Sequence, residues 1–144
     1  DVSLYEGKAL FLNFFTGWCY YCMQEMPEIK EIYDTYDPDE VAIVLIHVWS
    51  GEDATDSAAV VEQYSLQDLN LVEDDQMELA NMIGLTGFPT SLFIDKDGYL
   101  NAYQPGALTY DSMASVLEGM GVGKRTDTAD TLEANVDAET EVEQ

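Results

Sequence analysis

The chain of 144 residues is poor in positive charge: it has five Lys and Arg against 29 Asp and Glu, a formal net charge of −24. A nucleic-acid-binding protein needs a basic surface, and anionic membranes would repel so acidic a chain. Both classes are therefore excluded, and the charge favours basic partners instead. No apolar run approaches the ~20 residues needed to span a bilayer. With 47% hydrophobic residues, the chain is still suited to one globular domain.

Cysteine is equally scarce, since Cys19 and Cys22 are the only two. One pair cannot form the disulfide framework of a small secreted protein. The C-x-x-C spacing allows a structural disulfide, half of a zinc site, two unrelated thiols or a redox pair. A disulfide across so short a loop removes little chain entropy, and zinc needs about four ligands, for which only His47 is available besides the thiols. A redox pair is therefore favoured, with no metal.

The two ends of the chain carry separate expectations. The first residue is Asp1 rather than Met, so we expect a signal or membrane anchor that is missing from this sequence. Residues 126–144 contain seven acids and no base. We therefore predict one folded domain over residues 1–123 and an acidic tail, flexible or weakly helical, over residues 124–144.

The order of the hydrophobic segments predicts an α/β fold. Apolar runs at residues 9–15 and 41–48 indicate strands buried on both faces, and the helical spacing between them indicates a helix that contains Pro27. This unit implies parallel strands with a right-handed crossover. A hairpin is expected around Asp97-Gly98. The other segments predict a helix at residues 57–67, a strand at 69–72, a helix at 75–83, the two hairpin strands at 91–94 and 99–103, and a helix at 110–120.

The cysteine pair falls where the first predicted strand passes into the first helix. Unpaired N–H groups at a helix start carry positive partial charge, so they stabilise a thiolate at Cys19 and lower its pKa. The sulfur of Cys19 is also expected to be exposed. Cys22 lies one turn later, close enough to form a disulfide and to resolve a mixed disulfide made by Cys19. Farther along, Pro89 precedes a strand in a tight turn and is a candidate cis proline, beside which a peptide substrate can pair as an extra strand.

These motifs resemble the thioredoxin superfamily and, more narrowly, the TlpA/ResA-type extracytoplasmic thiol-disulfide oxidoreductases. The resemblance covers about residues 8–120. It implies a thioredoxin fold, with a mixed central sheet and helices on both faces, and a cis Pro89 beside the cysteine pair. It also implies a nucleophilic Cys19, a resolving Cys22, and no cofactor besides their redox-active disulfide. The motifs that carry it are LFLNFF at 10–15, WCxxCxxExP at 18–27, GFPT at 87–90 and DKDG at 95–98.

Two positions favour this subgroup over cytoplasmic thioredoxins. Asn13 stands where those proteins carry a buried Asp, and an amide cannot shuttle a proton. Glu25 lies one helical turn after Cys22, where the family places a partly buried acid whose titration should couple to that of the thiols. We hypothesise that Glu25 assists proton transfer to or from Cys22. The alternative is a solvated glutamate on an acidic helix.

The residues around the cysteines also depart from the family pattern. Tyr20 and Tyr21 stand where the family commonly has x-Pro, and they either offer an apolar surface to a partner or cap the helix start. Together with Trp18, Phe88 and Pro89, they form the predicted substrate-binding set. Neutral residues follow the second cysteine in place of basic ones, which leaves the direction of the reaction open.

We predict a monomeric enzyme, outside the cytoplasm, that reduces disulfides of exported proteins. Its candidate substrates are apocytochrome c and an exported methionine sulfoxide reductase, and a membrane thiol donor would supply its electrons. The alternatives are a disulfide oxidant or isomerase, an inactive binding module, and a copper-binding assembly factor with His47 as third ligand. His47 is otherwise a core residue that satisfies one hydrogen bond.

Overall fold

The computed structural model describes residues 5–49 and 56–126, and its elements follow the predicted order. The central strand, the long first helix and the final helix agree closely with the sequence expectations. The elements are β1 (Ala9–Phe15), α1 (Tyr20–Thr35), β2 (Val41–Val48), α2 (Ser57–Gln63), β3 (Asn70–Asp74), α3 (Glu78–Met82), β4 (Thr90–Ile94), β5 (Leu100–Pro105) and α4 (Tyr110–Gly119).

The five strands form one mixed sheet in the order β3-β2-β1-β4-β5. Strands β1, β2 and β3 are parallel, whereas β4 runs antiparallel to β1 and β5 antiparallel to β4. Helices α1, α2 and α4 pack on one face of the sheet, and α3 packs on the other. The predicted α/β fold with helices on both faces is confirmed. The parallel strands bring their C-terminal ends to one edge, and β1 passes from that edge into α1.

Successive side chains of β1 point to opposite faces of the sheet, and this alternation determines which residues lie beneath α1. Phe11 and Phe15 belong to the hydrophobic cluster on the α1 face, whereas Phe14 belongs to the cluster on the α3 face. Asn13 lies between the two phenylalanines of the α1 face and is completely buried. A polar amide is thus built into an otherwise apolar strand, facing the helix that carries the cysteines.

Several predicted bounds were wrong. Helix α2 ends at Gln63 rather than at residue 67, because Ser65 adopts a left-handed backbone (φ 59°) and the chain turns there. Helix α3 begins at Glu78 rather than at residue 75. The carboxylate of Asp74 accepts hydrogen bonds from the backbone N–H groups of residues 79 and 80, which keeps the intervening segment in a turn. The hairpin strands and β3 differ from their predicted bounds by one or two residues.

The chain continues to contact α1 beyond residue 123. Lys124 forms an isolated β-bridge with Tyr36, and the guanidinium of Arg125 donates to the carbonyl of Tyr33 at 3.0 and 2.8 Å. Most of the predicted tail, residues 127–144, lies outside the described residues, so the domain boundary stays a prediction. Among the helices described, none has both the length and the apolar character to cross a bilayer.

Candidate active site

The cysteine pair sits at the sheet edge where β1 passes into α1. Cys19 is the N-cap of α1 with an extended backbone (φ −89°, ψ 110°), and Cys22 lies in the first turn. The two residues form a disulfide, with their Cα atoms 5.2 Å apart. The backbone N–H of Cys22 donates to Cys19 Sγ over 3.1 Å. An N–H donor at a helix start stabilises negative charge on a sulfur, so this geometry suits a Cys19 thiolate.

The two sulfurs differ in their access to solvent. Cys22 is completely buried, whereas Cys19 is 6% exposed. The prediction of an exposed Cys19 is wrong: the residue is largely covered because it belongs to the hydrophobic cluster beneath α1. Cys19 is nevertheless the cysteine that presents surface, and therefore the one that a bulky disulfide can reach first.

Glu25 lies one turn beyond Cys22 and is only 1% exposed, so it is not a solvated surface residue. Its Oε1 accepts a hydrogen bond from Asn13 Nδ2 over 2.7 Å, and its Oε2 accepts one from the backbone N–H of Leu108 over 2.7 Å. Desolvation by burial raises the pKa of Glu25 to about 7, although both hydrogen bonds lower it. A carboxyl with this pKa changes protonation near neutral pH.

The amide of Asn13 is arranged to serve both protonation states of Glu25. Its Nδ2 donates to the carboxylate and also approaches Ser91 Oγ at 3.4 Å. Its Oδ1 is the buried side-chain polar atom without a hydrogen-bond partner among the described residues. A half-turn of the amide would present Oδ1 to a protonated Glu25 as an acceptor. An Asn can therefore support a titrating carboxyl without carrying the proton itself.

The loop before β4 lies against the cysteine loop. The peptide bond between Phe88 and Pro89 is cis, and Thr90 Oγ1 donates to the carbonyl of Gly87 over 2.7 Å. The rings of Phe88 and Trp18 meet edge to face, with centroids 5.9 Å apart. The structure thus brings two of the predicted substrate-binding residues into contact, one from each loop.

Tyr20 and Tyr21 project from the start of α1. Their rings also meet edge to face, with centroids 5.3 Å apart, and both side chains are largely exposed. The helix is capped by Cys19, so a capping role for the tyrosines is unnecessary. Their part in substrate binding, like that of Trp18, Phe88 and Pro89, stays a prediction.

His47 belongs to a polar cluster that is centred on the carboxylate of Glu73. It is completely buried on β2, its ring stacks on Phe15 at 5.2 Å, and its Nδ1 lies 2.8 Å from Glu73 Oε1. Glu73 also accepts hydrogen bonds from Trp49 Nε1 over 2.7 Å and from Ser57 Oγ. Within residues 5–49 and 56–126, no three His, Cys, Asp or Glu side chains converge in a way that could hold a metal ion.

Sequence reasoning missed this second cluster. Strand pairing places His47 opposite Glu73, and the start of α2 brings Ser57 to the same carboxylate. The signal available was a His and an acid near the ends of two adjacent predicted strands. Without the register of those strands, their meeting was not predictable.

The architecture and the cysteine site have counterparts among known proteins. A family model described as a thioredoxin-like domain matches residues 2–121. The chain belongs to the thioredoxin-like family. This assignment confirms the resemblance on which the sequence argument relied, and it covers the whole of the sheet.

Two curated relatives are thiol-disulfide oxidoreductases named ResA. The protein of Geobacillus thermodenitrificans is 33% identical over 116 residues, which cover 81% of this chain and 65% of the relative. That of Geobacillus kaustophilus is 32% identical over 119 residues, covering 83% of this chain and 67% of the relative. The chain thus spans about two thirds of the length of these relatives.

Solved structures share the fold. The exposed lipoprotein thioredoxin Etrx1 of Streptococcus pneumoniae aligns with a TM-score of 0.67 and 25% identity, covering 82% of this chain and 89% of that one. DsbF of Mycobacterium tuberculosis aligns with a TM-score of 0.69 and 21% identity, covering 83% and 84% of the two chains. The second likeness is one of fold alone.

Proposed function

We propose that this protein is a thiol-disulfide oxidoreductase that reduces disulfides of exported proteins. The observation that carries the proposal is the Cys19–Cys22 disulfide at the start of α1, in which Cys19 Sγ accepts a backbone hydrogen bond and is the more exposed sulfur. The ResA relatives, named for the same reaction type, support it.

The reaction uses the pair in its dithiol form. The Cys19 thiolate attacks one sulfur of the substrate disulfide, and the other sulfur leaves as a thiolate that takes up a proton. Cys22 then loses its proton and attacks Cys19 Sγ, which releases the second substrate thiol. Two electrons and two protons pass to the substrate, and the Cys19–Cys22 disulfide forms.

Glu25 is the proposed proton acceptor for Cys22 in the second step. Cys22 is buried, so its proton needs a nearby group rather than bulk water. Glu25 follows three residues later on the same face of α1, and its pKa of about 7 lets it accept a proton at neutral pH. Asn13 holds the carboxyl in position through its 2.7 Å hydrogen bond.

The cellular setting is proposed from the relatives. Etrx1 is named as an exposed lipoprotein, which supports a location outside the cytoplasm. There the protein would act as a monomer on exported substrates, apocytochrome c or a methionine sulfoxide reductase among them. A membrane thiol donor would return the disulfide to the dithiol.

Single-cysteine variants test the reaction. We expect Cys19→Ser to lower the rate of insulin disulfide reduction at least about 1,000-fold, because the attacking sulfur is gone. Cys22→Ser is the matched control: it should also stop turnover but accumulate a mixed disulfide with a model disulfide peptide, detected as an adduct by intact-protein mass spectrometry. Adduct formation by Cys19→Ser and not by Cys22→Ser would reverse the assigned roles.

The reduction potential tests the direction. A reductant should have a potential near that of thioredoxin, about −270 mV, whereas a strong oxidant lies near about −120 mV. Equilibration of the disulfide with glutathione or dithiothreitol buffers measures it. A value at the oxidising end would replace the reductase with the oxidant or isomerase alternative.

A further inference from the structure

The surface around Cys19 is unusually aromatic. Trp18, Tyr20 and Tyr21, which we call the aromatic rim, are 61%, 67% and 64% exposed. They flank the cysteine on both sides in sequence, and the two tyrosines lie between the cysteines. Exposed apolar side chains concentrated at one place mark an interaction surface. Aromatic faces also attract Lys and Arg side chains through cation–π contacts.

The basic side chains of the chain are segregated from this rim. Lys8 precedes β1, and Lys96 lies in the turn after β4, which runs antiparallel to β1, so both are at the opposite edge of the sheet. Lys124 and Arg125 contact the C-terminal end of α1. Lys30, in the third turn of α1, is roughly 16 Å along the helix axis from Cys19. No other Lys or Arg occurs in the sequence.

Acidic side chains occupy the edge that carries the rim. Asp56 caps the start of α2, Asp75 directly follows β3, and Glu78 begins α3. All three are exposed. Because β1, β2 and β3 are parallel, these positions lie at the same edge of the sheet as Cys19. Among the described residues, this edge has negative charge and no Lys or Arg to balance it.

We propose that the aromatic rim receives a cationic segment of the substrate, with Lys or Arg side chains flanking the disulfide that is reduced. This inference rests on the proposed function and names the class of substrate. Charge complementarity selects the occupant: an acidic edge attracts a basic segment and repels an acidic one, and the exposed rings contact the basic side chains directly. An acidic segment with the same disulfide is a poor substrate.

Two synthetic disulfide peptides test this selectivity. They share one cysteine spacing and differ only in four flanking residues, which are Lys in one and Glu in the other. Each is mixed with the reduced full chain, and the second-order rate of its reduction is divided by its rate with dithiothreitol. This ratio removes the intrinsic effect of flanking charge on disulfide reactivity.

We expect the normalised rate of the Lys peptide to exceed that of the Glu peptide at least about tenfold at 20 mM salt. The preference should fall to about twofold at 0.5 M salt, because screening shortens the range of charge interactions well below 10 Å. Equal normalised rates, or a faster Glu peptide, would overturn the inference and leave the proposed function intact. Failure to reduce either peptide would overturn both.

Two charge variants test whether the preference for the Lys peptide arises at the aromatic rim. Gln24 is exposed in α1, one turn after Tyr20, and Gln67 is exposed just before β3, at the opposite edge. Gln24→Lys and Gln67→Lys change the net charge equally. We expect Gln24→Lys to lower the preference for the Lys peptide about threefold and Gln67→Lys to leave it unchanged. Equal effects of the two variants would assign the preference to net charge and overturn a site at the rim.

Discussion

Two glutamates of this protein have opposite pKa shifts because their surroundings differ. Glu25 lies under the cysteine pair, and Glu73 lies at the end of β3. Glu25 is 1% exposed and accepts two hydrogen bonds, and burial raises its pKa to about 7. The side chain of Glu73 is 41% exposed. Desolvation also raises the pKa of Glu73, but hydrogen bonds from Ser57, Trp49 and His47 together lower it below the ordinary value.

The opposite pKa shifts determine which glutamate can exchange a proton near neutral pH. Burial with two donors leaves Glu25 poised between its neutral and charged forms near pH 7. Three donors and access to water keep Glu73 an anion over the same range. Glu25 is therefore suited to proton transfer beside the dithiol, whereas Glu73 holds together the ends of β2, β3 and α2.

Replacement of Glu25 should act most strongly on how the stability of the protein depends on pH. An unfolded glutamate ionises near pH 4.5, whereas folded Glu25 stays protonated to about pH 7. Between these values the folded state binds more protons, so its contribution to stability falls as pH rises. We expect the free energy of unfolding of Glu25→Gln, relative to that of the parent protein, to increase by about 2 to 3 kcal/mol as the pH rises from 5 to 8. Urea unfolding of both oxidised proteins across this range measures the difference.

Glu28 provides the matched control on the same helix. It is partly buried and accepts a hydrogen bond from the backbone N–H of Tyr110 over 2.6 Å. Glu28→Gln removes one carboxyl from α1 and leaves both hydrogen bonds of Glu25 in place. The charge of Glu28 is the smallest of the contributions to the raised pKa of Glu25, so its loss should change that pKa only slightly. If its unfolding free energy changed with pH as strongly as that of Glu25→Gln, the effect would belong to the charge of the helix rather than to a buried acid.

A smaller effect is expected on the thiols. In the reduced protein, an ionised Glu25 disfavours a nearby thiolate, so the groups titrate together. Glu25→Gln should shift the pH midpoint of Cys19 alkylation by iodoacetamide downward by about half a unit to one unit, which is about a three- to tenfold change in thiolate at a given pH. An unchanged midpoint would reject the proton-transfer role, whatever the stability data show.

The sequence was sufficient to predict the parts of this site that depend on local patterns. The apolar run of β1, the helix start after Gly17 and the spacing of Cys19 and Cys22 all act within about 20 residues. Local patterns therefore predicted the bounds of β1, the start of α1 and the neighbouring Glu25. The burial of that glutamate was expected from the family resemblance, and its 1% exposure confirms it.

What the sequence could not supply are contacts between distant segments. Glu25 meets the N–H of Leu108, 83 residues away, and His47 meets Glu73 through strand register. Both depend on how separate elements pack. A shift of one residue would send His47 to the other face of the sheet, and it would turn Glu25 by about 100° around the axis of α1. The same packing covers Cys19 more closely than its place at a helix start suggests.

The smallest effect is expected from Glu73, and it tests the other half of the comparison. Because the pKa of Glu73 is lowered, its ionised form stabilises the fold above pH 4.5, and this stability is lost as pH falls through the folded pKa. After discounting for solvent exposure, we expect Glu73→Gln to cost about 1 kcal/mol at pH 7 and progressively less in acid, measured by urea unfolding. Ser57→Ala, which removes one donor and no charge, should cost less stability, and this cost should vary less with pH.

In Glu73→Gln, the pH midpoint of Cys19 alkylation should stay where it is in the parent protein, because Glu73 interacts with His47 rather than with the thiols. A shift as large as that of Glu25→Gln would mean that both carboxylates act on the cysteine pair.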